Sequence, residues 1–321
     1  MPDTTPSRPR HEKYERLIQR AQQLQPPVVT AVAHPCDDVS LGAAVEAWKL
    51  RLITPILVGP SARIRAVAAS LNLDISALQL VDAQHSHDSA DKAVALVKAG
   101  KAQALMKGSL HTDELMAAVV ARDTGIRTAR RISHCFIMDV PRHSQPLIIT
   151  DAAVNIAPTL EDKVDIVQNA IDLAHAMNPE GEVRVAILSA METVNPKVQS
   201  TIEAAALCKM ADRGQITGAL LDGPLALDNA IDPEAAAIKK IVSPVAGRAN
   251  ILVVPDLEAG NMLAKSLSFL AGADAAGIVL GARVPIILTS RADAMLTRLA
   301  SCAVAVLVAA ERRTTPAAAV V

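Results

Sequence analysis

The sequence predicts a two-domain α/β protein in which each domain is an α/β/α sandwich built on a mainly parallel sheet. Three observations carry this expectation. Short aliphatic runs alternate with stretches of helical period along nearly the whole chain. At 321 residues the chain exceeds what one hydrophobic core usually supports. Hydrophobic residues make up 51% and aromatics 1%, so Ala, Val, Leu and Ile must build the core, as in strands buried on both faces beneath Ala-rich helices.

Strands are expected at 28–33, 55–58, 79–81, 104–106, 132–139, 147–150, 183–188, 218–221, 251–254 and 286–288. Helices are expected at 41–50, 88–99, 112–120, 160–176, 197–210 and 260–271, with a C-terminal helix at 294–313. The stretch 160–176 puts Leu160, Val164, Val167, Ile171 and Ala174 on one face, and Pro158-Thr159 signals its start. Repeated strand–helix units imply parallel pairing with right-handed crossovers. The rhythm changes where 132–139 and 147–150 are joined by a short link, which makes an antiparallel pair. We therefore place a domain boundary near Thr150: a first domain at 1–150, completed by helix 294–313, and a second at 151–293. Residues 314–321 read as a disordered, low-complexity tail, and 1–10 as a loose leader without the apolar core of a signal peptide.

Composition narrows function. The 32 basic and 33 acidic residues nearly cancel, so no global field recruits a polyanion or a membrane surface. Scarce aromatics argue against nucleic-acid stacking. The longest late apolar run, 302–310, is too short to span a bilayer. Cys36, Cys135, Cys208 and Cys302 are scattered and read as reduced core residues, and the histidines form no metal-ligand spacing. A cytoplasmic protein without metal is expected.

Polar groups gather at the carboxyl ends of the expected strands, where parallel sheets assemble ligand sites. Lys107-Gly108-Ser109, with Thr112, puts a cation, a small residue and hydroxyls at a helix N-terminus, an arrangement suited to phosphate or to plain helix capping. Ser290-Arg291, with Asp293 beyond, offers a hydroxyl beside a planar guanidinium that can grip two phosphate oxygens, or a cap and a surface ion pair. Asp256, Gly260, Asn261 and Lys265 form a turn and first helical turn open to close ligand approach, with Asp256 alternatively an N-cap. Asp222-Gly223-Pro224 is either an acid at a strand end or a simple turn. Neither the GxGxxG nor the GxxxxGK[ST] pattern occurs.

Several ordered blocks resemble the phosphate acetyltransferase and phosphate butyryltransferase family. They are 32–38 (VAHPCDD), 151–158 (DAAVNIAP), 188–196 (LSAMETVNP), 222–230 (DGPLALDNA), 253–261 (VVPDLEAGN), 277–286 (GIVLGARVPI) and 289–293 (TSRAD). The likeness runs over about 28–310, and the blocks at Asp151 and Ser189 are most similar to the butyryltransferase-like branch and to the acyltransferase half of bifunctional proteins with an enoyl-CoA hydratase domain.

The resemblance implies an isocitrate-dehydrogenase-like fold with the active site in a cleft between domains, usually as a homodimer. It implies reversible acyl transfer between coenzyme A and phosphate, with acyl-CoA, phosphate and acyl phosphate as substrates and no permanently bound cofactor. In that picture Ser290 and Arg291 orient phosphate. Family acetyltransferases carry an Asp seven residues after the Ser, where this chain has Thr297, so Asp293 is the nearest thiol base. Arg283 and Arg131 are candidates for binding phosphate or coenzyme A. Two other readings compete: a metal- and NAD-dependent hydroxyacid dehydrogenase of similar fold, with Asp222, Asp228 and Asp256 as its acidic cluster, and a noncatalytic CoA-binding protein.

Overall fold

A computed structural model of the chain describes residues 12–141, 143–289 and 293–314. Its strands are β1 (Val28–Ala33), β2 (Ile53–Gly59), β3 (Gln79–Asp82), β4 (Ala104–Lys107), β5 (Ser133–Asp139), β6 (Leu147–Thr150), β7 (Arg184–Leu188), β8 (Leu220–Leu225), β9 (Ile251–Val253), β10 (Asp274–Leu280) and β11 (Ile286–Ile287). Its helices are α1 (Glu12–Gln23), α2 (Asp38–Lys49), α3 (Ser61–Ser70), α4 (Ser86–Lys98), α5 (Thr112–Val120), α6 (Leu160–Met177), α7 (Gln199–Asp212), α8 (Leu227–Ile231), α9 (Pro233–Ile238), α10 (Leu257–Ala271) and α11 (Met295–Thr314). The expected leader lies outside the described residues, as does the expected tail except for Thr314, which ends α11.

The fold is mixed α/β with a mostly parallel sheet, but the expected two sheets are one. Among the described residues eleven strands pair in the order β3-β2-β1-β4-β11-β10-β5-β6-β9-β7-β8. The block β3-β2-β1-β4-β11 is parallel throughout, and so is β6-β9-β7-β8. Between them, β10 runs antiparallel to both β11 and β5, and β5 antiparallel to β6. The two parallel blocks therefore run in opposite directions, and their carboxyl ends point to opposite edges of the sheet.

Five of these elements, α1, α3, α8, α9 and β10, escape the sequence reading, and for β10 and α1 the reasons are clear. β10 begins Asp-Ala-Ala-Gly, weak strand formers that only its neighbours hold extended. α1 is polar apart from Tyr14, Leu17, Ile18 and Ala21, which are buried at helical spacing. The Tyr14 hydroxyl accepts from Ala276 N–H at 2.7 Å and lies 2.6 and 2.9 Å from the carbonyls of Ile137 and Asp274, which fastens α1 to the β5–β10 junction. β8 is also displaced from the expected 218–221, so that Asp222-Gly223-Pro224 lies inside the strand. As the sheet's edge, β8 tolerates the proline's missing N–H.

The core forms three clusters. On one face α1, α2, α3, α6, α7 and α11 cover the sheet continuously from β2 to β7. On the other face α4 and α5 bury β1, β4 and β11 residues in one cluster, and α8, α9 and α10 bury β5, β6 and β9 residues in another. These two do not merge, so a seam runs over the middle strands between them.

Candidate functional site

The first candidate group gathers where β1, β4 and β11 end side by side. β4 and β11 are parallel neighbours, with Ile287 opposite Met106, so Thr289 emerges next to the Lys107-Gly108 turn. That turn is folded onto the end of β1: Gly108 N–H donates to Ala33 O at 2.8 Å, and Ser109 donates to His34 O from both N–H (2.9 Å) and Oγ (2.8 Å). Position 108 admits only glycine, because a Cβ there would lie 2.4 Å from Ala33 O. Lys107 is buried, with Nζ 3.4 Å from Gly108 O. Thr112 is exposed at the start of α5, where the free N–H groups of the first turn carry partial positive charge. The cap is one residue earlier than expected: Glu114 accepts from His111 N–H at 2.7 Å.

His34 also faces this rim. Its Nδ1 pairs with Ser89 Oγ at 2.9 Å, and Ser89 Oγ donates to His85 O at 2.7 Å, so His34 Nδ1 carries the hydrogen. Burial, assisted by the nearby Arg63 cation, holds its pKa below the ordinary value, so the ring is neutral at pH 7.

Ser290 and Arg291 lie outside the described residues, but both flanks of that segment are visible. Arg298, one turn into α11, donates from Nη1 to Thr289 Oγ1 and from Nε to the Asp293 carbonyl, both at 3.2 Å. A single buried guanidinium thus ties the residue before the segment to the residue after it. Burial lowers its pKa, opposed by the charges of Asp293 and Asp37, and an arginine so held remains charged. Sequence reasoning missed Arg298 because it stands in a run read as an apolar helix. Thr297, at the position of the expected Asp, is buried.

The second candidate group lies at the opposite edge. β4 and β9 are five strand spacings apart, roughly 24 Å, and they point in opposite directions. Asp256 is the N-cap of α10, accepting from Ala259 N–H at 2.8 Å. Gly260 packs against Val254 and Ala152, and Asn261 Nδ2 donates to Ala152 O at 3.2 Å. Lys265 is exposed further along α10. Asp222 accepts from Gly223 N–H at 2.8 Å. Arg283 is exposed in the β10–β11 connection, its N–H donating to Ile126 O at 2.9 Å. The structure thus brings together Lys107, Gly108, Ser109 and Thr112, sets Asp293 beside Arg298, brings Asp256, Gly260 and Asn261 together elsewhere, and leaves Asp222 and Arg283 apart from these.

The acids of the alternative dehydrogenase reading do not converge. Asp228 pairs with Lys239 at 3.4 Å, while Asp222 and Asp256 serve separate main-chain donors. No three His, Cys, Asp or Glu side chains among the described residues could share a metal ion.

A second network missed in the sequence joins the two halves. Asp151 is buried at the end of β6 and accepts from the N–H groups of His134 (3.2 Å), Ala153 (2.9 Å), Val154 (2.9 Å) and Asn155 (3.2 Å), and from Asn155 Nδ2 (2.6 Å). Asn155 Oδ1 in turn accepts from Arg131 Nε at 2.7 Å, and Arg131 Nη1 lies 3.3 Å from Asp162. Arg131 is held in place while half of its side chain stays in solvent. Beside this network His134 is fully buried, its Nδ1 without a partner, and burial pushes its pKa down to about 4 against the opposing charge of Asp151.

Polar residues at strand ends over a mostly parallel α/β sheet are the arrangement on which α/β enzymes assemble small-molecule sites. Comparison with known proteins gives this class a family. The sequence pattern of phosphate acetyl/butaryl transferase matches residues 84–306. A phosphate acetyltransferase of Rhizobium meliloti is 67% identical over 308 residues, covering 96% of this chain and 97% of that protein. A phosphate butyryltransferase of Clostridium beijerinckii is 39% identical over 302 residues, 94% of this chain and 99% of that one. The crystal structure of a branched-chain phosphotransacylase from Enterococcus faecalis V583 superposes with a TM-score of 0.75 at 29% identity, covering 88% of this chain and 99% of that one. The chain belongs to the phosphate acetyl/butaryl transferase family. It is an acyltransferase that exchanges an acyl group between coenzyme A and inorganic phosphate.

Proposed function

We propose that this enzyme works on the acetyl group, converting acetyl-CoA and phosphate to acetyl phosphate and CoA and back, at the rim where β4 and β11 end together. The observation that carries the location is the adjacency of Thr289 to the Lys107-Gly108-Ser109 turn. The identity of 67% to a phosphate acetyltransferase supports the choice of acetyl over butyryl. In the direction of CoA acylation, the thiol loses its proton to a carboxylate, for which Asp293 is positioned in sequence. The thiolate attacks the acyl carbonyl, and the C–O bond to phosphate breaks from the tetrahedral intermediate. Ser290, Arg291, Lys107 and the N–H group of Thr112 hold the phosphate oxygens, on a turn that Gly108 and Ser109 shape by their bonds to Ala33 O and His34 O. Phosphate is a good leaving group and a thiol near pKa 8.5 needs little activation, so positioning and charge stabilisation do most of the catalysis. Asn261 and the exposed Lys265 and Arg283 bind the remainder of coenzyme A, while Asp222, Asp256 and Gly260 hold the local fold.

The protein acts in the cytoplasm with no resident cofactor. It comprises domains 1–150, completed by α11, and 151–293. It forms a homodimer, a reading supported by Met262, Phe269 and Leu270, which are 63, 86 and 87% exposed on α10 and form an apolar surface suited to a second copy. The test is thiol release from acetyl-, propionyl- and butyryl-CoA with and without phosphate. Phosphate-dependent release fastest with acetyl-CoA is expected, and release independent of phosphate refutes the reading. Arg291→Ala is expected to cost about 2.7–4 kcal/mol of transition-state stabilisation. Near-normal turnover removes it from the mechanism.

A further inference from the structure

The acyl group must lie somewhere dry beside the polar rim, and the seam between the two core clusters is where the sheet offers apolar surface. Three residues form a row across it. Phe136 on β5 stands opposite Gly277 on β10, and Leu288 N–H pairs with Gly277 O. Leu288 belongs to the cluster under α4 and α5, and Phe136 to the cluster near α10, so the boundary between the clusters passes over Gly277. Phe136 and Leu288 are only half-buried although their strands lie in the middle of an eleven-stranded sheet. Leu288 is also two residues before Ser290 in sequence, which the proposed function assigns to phosphate.

The row is rigid. The His134 ring lies over Gly277, where an added Cβ would come 3.0 Å from His134 Nε2 and 2.6 Å from Leu288 O. Phe136 packs edge-on against that ring, with centroids 4.4 Å apart and planes at 74°. His134 is anchored in turn through its main chain, its N–H donating to Asp151 and its carbonyl accepting from Thr150 Oγ1 at 2.9 Å. Phe136 is one of two phenylalanines in the chain. A large ring braced by an immobile imidazole cannot swing aside at small cost, because packed interiors transmit strain instead of absorbing it.

We propose that Phe136 sets acyl-chain length: its ring closes the floor of the seam beside Leu288, so that an acetyl methyl fits and the further carbons of a butyryl chain collide. The inference rests on the reading that the acyl group is transferred at the β4–β11 rim, and it adds to that reading the residue that selects the substrate. It also accounts for how one fold serves family members named for different acyl groups, since a single floor position alters the depth available.

The test is the ratio of kcat/KM for butyryl-CoA to that for acetyl-CoA, each with phosphate, in the wild type, Phe136→Ala and Phe136→Leu. A methylene accommodated or refused in an apolar pocket changes such ratios by about 10- to 200-fold. We expect Phe136→Ala to raise the butyryl-to-acetyl ratio at least about tenfold and Phe136→Leu to raise it less. Because the readout is a ratio, a general loss of stability cancels; should the alanine variant fail to fold, the leucine variant alone must still raise the ratio. A ratio unchanged in variants that still transfer acetyl overturns the proposal and leaves the function standing. Arg291→Ala, assayed in parallel, separates the two failures: full activity there refutes the location of the reaction, and the proposal with it.

Discussion

Arg298 offers the sharpest test of how the rim is held together. Its guanidinium spans the flanks of residues 290–292 through two 3.2 Å hydrogen bonds, to Thr289 Oγ1 and to Asp293 O. Arg298→Met keeps a similar apolar stem but removes both. A hydrogen bond from a charged donor contributes about 1.5–3 kcal/mol. If the pair favours the productive placement of Ser290 and Arg291 by the value of one such bond, loss of the clamp lowers the competent fraction about 10- to 150-fold. The expected phenotype is a fall in kcat of that size, measured by thiol release at saturating substrate. Arg298→Lys retains the charge but cannot reach both partners in the same plane, so it is expected to recover only part of the loss. Thr289→Val removes one of the two contacts and should fall between wild type and Arg298→Met. Turnover by Arg298→Met within about twofold of wild type, with a normal melting temperature, refutes the clamp, because a loss of one charged hydrogen bond cannot be that small at a site it positions.

Three further outcomes follow from the geometry. Tyr14→Phe strands the buried Ala276 N–H and should cost about 1–3 kcal/mol, lowering Tm by about 2–4 °C per kcal/mol in calorimetry with kcat unchanged; an unaltered Tm refutes the anchoring role. Asp151→Asn replaces an acceptor of five hydrogen bonds with a group that must turn a donor toward some of them, so a loss of about 3 kcal/mol or more is expected in urea titration, and full stability refutes the loop-organising role. His134, with its pKa pushed down to about 4, binds its proton less readily folded than unfolded, so it withdraws stability as pH falls from about 6.5 toward 4, by about 3 kcal/mol at most. His134→Phe should flatten the stability-against-pH curve across that window, and parallel curves for variant and wild type refute the burial of a neutral ring.

Much of the architecture was legible in the chain. Periodicity found a counterpart for ten of the eleven described strands, and the short link between 139 and 147 marked an antiparallel pair. What it could not show was the second reversal. β10 reads weakly because Gly277 and its alanines carry little strand preference, yet it turns the sheet between β11 and β5. Missing that strand, the sequence reading made two sheets in two domains. At the site, polar residues after strands were easy to find, but their partners were not. Asp256 caps a helix and Gly260 packs against a neighbouring loop, roles fixed by tertiary contacts. Arg298 and His134 carried no local signal, since one stands in an apolar helix and the other in a strand, and each gains its meaning from residues distant in sequence.

The reversal of strand direction has a consequence for how a substrate can lie. Amide donors and cations at the carboxyl ends of the first block face one edge of the sheet, while Asp151, Asp256 and their neighbours end the second block at the other. A ligand using both sets cannot run along either edge; it must cross the face where the two core clusters do not merge. That suits a substrate with a compact dianion at one end, a short acyl group at the reacting centre and a long carrier beyond. In the site proposed above, phosphate takes the donor-rich rim, the acyl group takes the floor at Leu288 and Phe136, and coenzyme A continues toward the second rim. On that proposal, reversing the two blocks separates the charged and apolar demands of one reaction onto adjoining surfaces.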